Sequence, residues 1–352
     1  MLNELKMIEE IDKSGMLNDI TNFPIQIKEA EKIVELSNIP KLYKIDNIII
    51  SGMGASAISG DIIQSLLRDK ITKPIFVSRQ YDLPKWANKN TLVISQSYSG
   101  NTEETISTFK HALKKHCKPI AITTGGKLLK YCEKIEVPFI KIPSGIQPRA
   151  ATGYMLFCAL HSFKKIGFLQ KDINLEIQDT IHTIEEFSKN NKKEIPEEKN
   201  LSKQIAKKIF NKIPQIYGWG FYIPIAKRWC TQFNENSKII CRNDEVPECN
   251  HNDIVGWSLN PEVSKKFICI LFRDHENESI YINKRLNFMK KLFDNVAGDT
   301  IEIKINVKRR LSKIMYSMYL GDYVSFYLAI LRKIDPTPVE AIRQLKEELA
   351  KI

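Results

Sequence analysis

Ile48-Ile49-Ile50-Ser51-Gly52-Met53-Gly54-Ala55-Ser56-Ala57 decides the fold class. A short β-branched run ends in a turn with two glycines. A helical pattern follows at once, with Ile58, Ile62, Ile63, Leu66 and Leu67 on one face. A continuous apolar run of this length reads as a strand covered on both faces, the habit of parallel sheets. The glycines permit a tight turn and a close backbone approach. A helix starting there offers free N–H groups and the positive end of its dipole to an anion. Gly52-x-Gly54 is common to many Rossmann-like folds, and taken alone it is equally a plain tight turn.

Working outward, the same unit recurs. Candidate strands are Asn47–Ser51, Pro74–Val77, Leu92–Ser95, Pro119–Thr123 and Phe139–Ile142, with helical stretches between them and charged amphipathic helices over residues 3–38. Such alternation predicts a doubly wound α/β domain. The chain turns helical from Arg149 to about Lys164. A polar segment, Ser188 to Lys203 with Pro196 inside it, is the candidate boundary. Beyond it come candidate strands Gln215–Gly218, Phe267–Phe272 and Thr300–Ile305 and two closing helices, Ser312–Ile334 and Pro338–Lys351. The expected partition is residues 1–165 for helices plus a first α/β unit, 166–203 for a helical and polar linker, and 204–352 for a second α/β unit. Two halves of similar design suggest a duplication.

Bulk composition narrows the function classes. Of 352 residues, 43% are hydrophobic and 27% charged, a globular mix. The net charge of +12 admits nucleic acid, a membrane surface or an anionic substrate as partner. Lysines are scattered, and the densest cluster, Lys308-Arg309-Arg310, is short and carries no aromatic interleaving. Most of this charge therefore reads as a solvated face, and no nucleic-acid partner is expected. The seven cysteines are widely spaced with no C-x-x-C, so they read as reduced core residues and point to the cytoplasm. The start Met-Leu-Asn-Glu-Leu-Lys has no leader-like apolar region, and no run was read as long enough to span a bilayer. No H-x-x-x-H or other ligand spacing suggests a metal.

A second strand-to-helix loop is sharper. After Leu92-Val93-Ile94 comes Ser95-Gln96-Ser97-Tyr98-Ser99-Gly100-Asn101-Thr102-Glu103-Glu104. Ser97, Ser99 and Thr102 crowd one turn at a helix start, where they can donate to phosphate oxygens beside free N–H groups. No lysine is present, so this is not a Walker A loop. A hydroxyl at a helix start is also an ordinary cap, but one cap needs one hydroxyl.

Gly52–Gly60 and Ser97–Thr105 resemble the sugar isomerase, or SIS, domain. Gln147-Pro148-Arg149-Ala150, Asn234-Glu235-Asn236-Ser237-Lys238, Glu248-Cys249-Asn250-His251-Asn252-Asp253 and Asp335-Pro336-Thr337-Pro338-Val339 resemble, in order, one branch: the bifunctional phosphoglucose/phosphomannose isomerases. The resemblance runs from about residue 45 to the end. It implies two flavodoxin-like SIS subdomains, each a parallel sheet flanked by helices. It implies aldose–ketose isomerisation of glucose, mannose and fructose 6-phosphates in a homodimer, without metal or cofactor. The active site would lie between the subdomains, its histidine coming from the neighbouring subunit. Gly54, Ser56, Ser97, Ser99 and Thr102 match phosphate-binding positions, and Arg149, Glu235, His251 and Lys346 match catalytic ones. Ala55 stands where Gly is usual and Trp219 where a small residue is common; neither is a catalytic position.

The residues bear on this chemistry by themselves. Proton transfer between C1 and C2 needs a base near both carbons, a group that opens the ring, and positive charge near the enediolate. Glu235 follows Ala226, Trp229, Cys230 and Phe233 at helical spacing, so it is expected at a helix C-terminus facing the negative dipole end; a surface glutamate before a turn has the same signature. His251 lies in a polar loop and titrates near neutrality, though exposed loop histidines are common. Lys346 falls at the edge of a stripe formed by Val339, Ile342, Leu345 and Leu349, expected to be buried, behind a Thr337-Pro338-Val339-Glu340 capping box. It either snorkels or reaches a cleft. Arg149 sits at a helix start, where cations are not favoured. The rivals are an SIS isomerase for another sugar phosphate and a non-catalytic sugar-phosphate sensor, which would keep the Ser97–Thr102 loop but not need Glu235 or His251.

Overall fold

Two parallel sheets carry the chain. The computed structural model describes every residue except Lys171, Leu259, Ala350 and Ile352. Helices α1 (Leu5–Ile11), α2 (Met16–Thr21) and α3 (Phe23–Glu35) lead into β1 (Asn47–Ser51). Then come α4 (Gly54–Leu67), β2 (Ile75–Ser78), β3 (Thr91–Ser97), α5 (Glu103–Lys114), β4 (Lys118–Thr123), α6 (Gly126–Lys134) and β5 (Phe139–Lys141). The sheet order is β2-β1-β3-β4-β5, all parallel. Ile48 to Ile50 and Leu92 to Ile94 are fully buried, as strands with helices on both faces must be.

Helices α7 (Thr152–Ile166), α8 (Ile173–Asn191) and α9 (Leu201–Ile209) connect to β6 (Ile213–Trp219). There follow α10 (Ile223–Gln232), β7 (Arg242–Val246), the short α11 (Asp253–Gly256) and α12 (Pro261–Ser264), β8 (Phe267–Arg273), α13 (Ile280–Val296), β9 (Asp299–Lys304), α14 (Arg310–Leu331) and α15 (Glu340–Leu349). The second sheet has the order β7-β6-β8-β9, again parallel. Both sheets thus run 2-1-3-4 in their own numbering, and each has a crevice where the order reverses, between β1 and β3 and between β6 and β8.

The two units share one core. Helix α14 packs on α8, α9 and α10, and α4 packs on both α7 and α10. Helix α14 has the length and composition of a membrane span, where the sequence reading found no such run. Yet 89% of its apolar window is buried inside the protein, so its apolar character is that of a core helix. The polar stretch Ser188–Lys203 is anchored at a few points: Asn191, Asn200 and Lys203 are buried, and the Lys203 ammonium donates to the carbonyls of Lys193 and Ile195 at 2.7 Å each.

Three points of the sequence reading need correction. Strand β7, Arg-Asn-Asp-Glu-Val, was not foreseen; it is an edge strand with one buried residue, Val246, and so lacks an apolar run. The stripe on α15 is not buried. Ile342, Leu345 and Leu349 are exposed, and α15 buries none of its described residues. The capping box does not close either: the Thr337 hydroxyl is buried without a hydrogen-bond partner.

Candidate active site

The β1/β3 crevice holds both glycine-bearing loops. Gly54 opens α4 in the left-handed region (φ 52°). Gly100 is also left-handed (φ 65°), and a Cβ there would lie 1.8 Å from the Gly125 carbonyl oxygen, so this turn admits only glycine. Ser97 and Ser56 are buried at the crevice floor, Thr102 is half-buried and Ser99 exposed. The Ser97 hydroxyl donates to the Thr102 hydroxyl at 2.9 Å. Thr102 occupies the N-cap position of α5 but makes no capping bond, and α4 has no side-chain cap either. The hydroxyls are therefore not consumed as caps, and two helix N-termini face one crevice with unsatisfied N–H groups. Glu103 and Glu104 in the first turn of α5 face the same dipole, and the Glu103 carboxylate is tied to the Tyr81 hydroxyl.

A chain of contacts leads from this crevice to a buried arginine. The Tyr98 hydroxyl accepts from the Ile146 N–H at 3.2 Å, and the Pro148–Ala150 turn packs against α4. Arg149, on that turn, is only 3% exposed rather than a surface residue at a helix start. Its Nε donates to Asn236 Oδ1 at 2.6 Å, and its Nη2 donates to the Pro336 and Thr337 carbonyls at 2.8 and 2.9 Å. Its Nη1 stands 3.6 Å from Glu235 Oε2. Burial works against the guanidinium charge and lowers its pKa, while Glu235 pulls the other way. So Arg149 joins the first unit to two segments of the second.

Glu235 lies in a π-helical turn, Phe233–Ser237, that continues α10. The wider turn re-aims side chains, a feature frequent at functional sites. The expected helix end is present, but the neighbour of the carboxylate is a cation, which the sequence reading did not foresee. Asn236 is buried beneath it and donates to Ser325 on α14 at 3.0 Å. Below that, Arg228 donates to the Arg149 carbonyl at 2.6 Å and to Asp322 at 3.1 Å, and Gln232 donates to Asp322 at 2.7 Å. Burial raises the Asp322 pKa, and Arg228 opposes it. Arg228 and Asp322 were missed. A lone Asp in the apolar run of α14 was the available signal.

His251 and Lys346 are not brought to this cluster within the chain. His251 ends the Glu248–His251 turn and is exposed, Lys346 is exposed on α15, and neither makes a hydrogen bond or ion pair with Arg149 or Glu235 among the described residues. A cavity of about 690 Å³ lies elsewhere, between the far half of α4 and the start of α10, lined by Asp61, Arg68, Lys73 and Lys227. None of the expected site residues line it. Chemistry therefore points to the polar crevice between β1 and β3 rather than to that cavity.

The buried guanidinium of Arg149, on a turn that packs against α4, the helix whose N-terminus borders the hydroxyl-lined crevice, faces the half-buried Glu235 carboxylate. Such a set can hold a phosphomonoester and move a proton next to a developing oxyanion. Comparison with known proteins agrees. Residues 41–130 match the SIS domain model, and residues 198–349 match the bacterial phospho-glucose isomerase C-terminal SIS domain. A bifunctional phosphoglucose/phosphomannose isomerase of Caldicellulosiruptor bescii is 40% identical, covering 96% of this chain and 99% of its own. One from Aquifex aeolicus is 35% identical, covering 86% and 90%. A solved Thermus thermophilus protein described only as hypothetical shares the fold, with a TM-score of 0.77 at 11% identity over 98% of this chain and 94% of its own. The chain belongs to the family of bifunctional phosphoglucose/phosphomannose isomerases, built on two SIS subdomains.

Proposed function

We propose that this protein interconverts glucose 6-phosphate and mannose 6-phosphate with fructose 6-phosphate through a cis-enediolate, with no metal or organic cofactor. The observation that carries this reading is the 3.6 Å approach of buried Arg149 to Glu235, on a turn packed against the helix that opens the phosphate cradle. Gly54, Ser56, Ser97, Ser99 and Thr102 hold the ester. Glu235 takes the proton from C2 of the open aldose, the C2 electron pair becomes the C1–C2 double bond, and O1 carries the charge beside Arg149. The same carboxyl returns its proton to C1, and the hydroxyl proton passes from O2 to O1.

Ring opening falls to Lys346 and His251. Because His251 is exposed and lacks a partner in the cluster, we assign it to the site of a second copy, in a homodimer. The exposed Ile342, Leu345 and Leu349 beside Lys346 are compatible with a covered face in that assembly. The Thr337 hydroxyl, buried and without a hydrogen-bond partner among the described residues, lies on the segment that binds Arg149, and we assign it to discrimination at the epimeric C2 hydroxyl. We keep residues 1–165 and 204–352 as the two functional units, joined through 166–203, and place the protein in the cytoplasm, where its seven free, buried cysteines stay reduced. Paired rates on glucose and mannose 6-phosphates with a chelator present test the reading. Turnover of both is expected; turnover of neither, with the phosphate esters still bound, supports the sensor instead.

A further inference from the structure

Lys238 ends the π-turn in a left-handed conformation (φ 53°, ψ 44°), an uncommon one for a residue with a side chain. Its ammonium donates to the Glu235 carbonyl and, at 2.9 Å, to the Pro336 carbonyl. That same Pro336 oxygen accepts from Arg149 Nη2 at 2.8 Å. Two cations thus converge on one carbonyl, and Glu235 is bracketed: Lys238 holds its backbone, and Arg149 faces its carboxylate at 3.6 Å. Placing an ammonium beside a guanidinium in a half-buried position is costly. A clamp between two carbonyls needs only donors, so a neutral amide would serve a purely structural purpose at lower cost.

We propose that Lys238 is a positioning residue for the isomerisation, tying the π-turn to the Pro336–Thr337 segment so that the Glu235 carboxylate and the Arg149 guanidinium stay in register against C1 and C2. This rests on the reading of Glu235 as the base. The groups facing Lys238 are Arg149 from the turn before α7, Glu235 from its own turn and Asp335 from the segment before α15. Burial and then Arg149 push its pKa down to about 8, against Asp335 and Glu235. As pH rises through that value the ammonium becomes a neutral amine, its two bonds to carbonyls weaken, and turnover falls.

The experiment is steady-state conversion of glucose 6-phosphate by wild type, Lys238→Met, Lys238→Arg and Glu235→Gln between about pH 6 and 10, with thermal unfolding of each read first. All Lys238 variants keep a side chain in the left-handed conformation, so the comparison isolates the donor and its charge. Lys238→Met is expected to lose at least about thirtyfold in kcat with KM within about threefold, the size of effect a small misplacement carries. Lys238→Arg is expected to recover most of that loss and to carry the alkaline fall about one pH unit or more higher, because guanidinium does not titrate there. If Lys238→Met does not fold, the Lys238→Arg profile decides. Wild-type kcat in Lys238→Met, or a Lys238→Arg profile that superimposes on wild type, overturns the proposal. An active Glu235→Gln overturns the assignment of the base itself, whereas an inactive Glu235→Gln beside a fully active Lys238→Met removes only Lys238.

Discussion

The two crevices of this molecule have the same topology and opposite contents. Between β1 and β3 stand glycines, small hydroxyls and two uncapped helix ends. Between β6 and β8 the equivalent space is closed. Trp219 lies at the end of β6, buried, with its indole N–H on the Phe272 carbonyl at 2.9 Å and its ring 5.3 Å from Tyr222. Asp274, just past β8, is fully buried and accepts from the Tyr222 hydroxyl at 2.8 Å and from Lys313 at 2.7 Å. Arg273 beside it pairs with Glu278 at 2.9 Å and with Glu302. An internal carboxylate and its own cation fill the second crevice, where the first is open to a ligand's anion. A switch point therefore marks where a site can form; the side chains decide whether one does. In this chain the second unit supplies the residue proposed as the base, Glu235, from the π-turn after α10 instead.

The sharpest break between the halves comes from the base. Glu235→Gln is expected to lower kcat by about a thousandfold or more, roughly 4 kcal/mol of barrier, while a non-isomerisable sugar phosphate still binds the first crevice within about threefold, by equilibrium titration. Next in size is the sealed crevice. Asp274→Ala strands the buried Lys313 ammonium, leaving it only the exposed Glu276 at 2.9 Å. A loss of about 3 kcal/mol in urea unfolding follows, with KM unchanged in the folded fraction. A smaller change, Ser97→Ala, should act in the reverse sense: KM for the phosphate ester rises about tenfold, from a lost hydroxyl donor to a charged acceptor, and stability moves little. Tyr222→Phe completes the contrast at about 1 kcal/mol of stability and no change in KM. A KM effect from Asp274 or Tyr222 comparable to that of Ser97 would erase the distinction drawn between the crevices.

Acid stability offers a probe outside both. His161 on α7 is buried, and its pKa is pushed down to about 4, first by burial, against the pull of Glu31. The folded pKa lies below the unfolded one, so the unfolded chain binds the extra proton first as pH falls. The stabilisation is intact above about pH 6.5 and is lost progressively toward about pH 4. The loss attributable to this residue is up to about 3 kcal/mol, and His161→Phe should flatten that part of the curve.

Most strands were legible because parallel strands are apolar throughout. Ile48-Ile49-Ile50, Leu92-Val93-Ile94 and Phe267–Phe272 each carry the pattern, and each is a buried strand. Strand β7 was invisible because an edge needs no apolar face. The Ser97–Thr102 loop stood out because several hydroxyls within one turn exceed what a cap requires, and Thr102 makes no capping bond. The environment of Glu235 was not legible. Its neighbours Arg149 and Lys238 are remote in sequence or easily taken for surface cations, and only tertiary packing drives a guanidinium to 3% exposure. The stripe on α15 was misread for a related reason: periodicity tells that a face is apolar, not what covers it.

The most direct measurement is isomerisation of fructose 6-phosphate in heavy water, with deuterium located by NMR. A carboxylate that takes a proton from one carbon and returns it to the next exchanges that proton with solvent between the two steps. Wild type should therefore place deuterium at C2 of the aldose 6-phosphate, and Glu235→Gln should place none. Aldose formed by the wild type without any deuterium at C2, or undiminished incorporation by Glu235→Gln, would contradict the account.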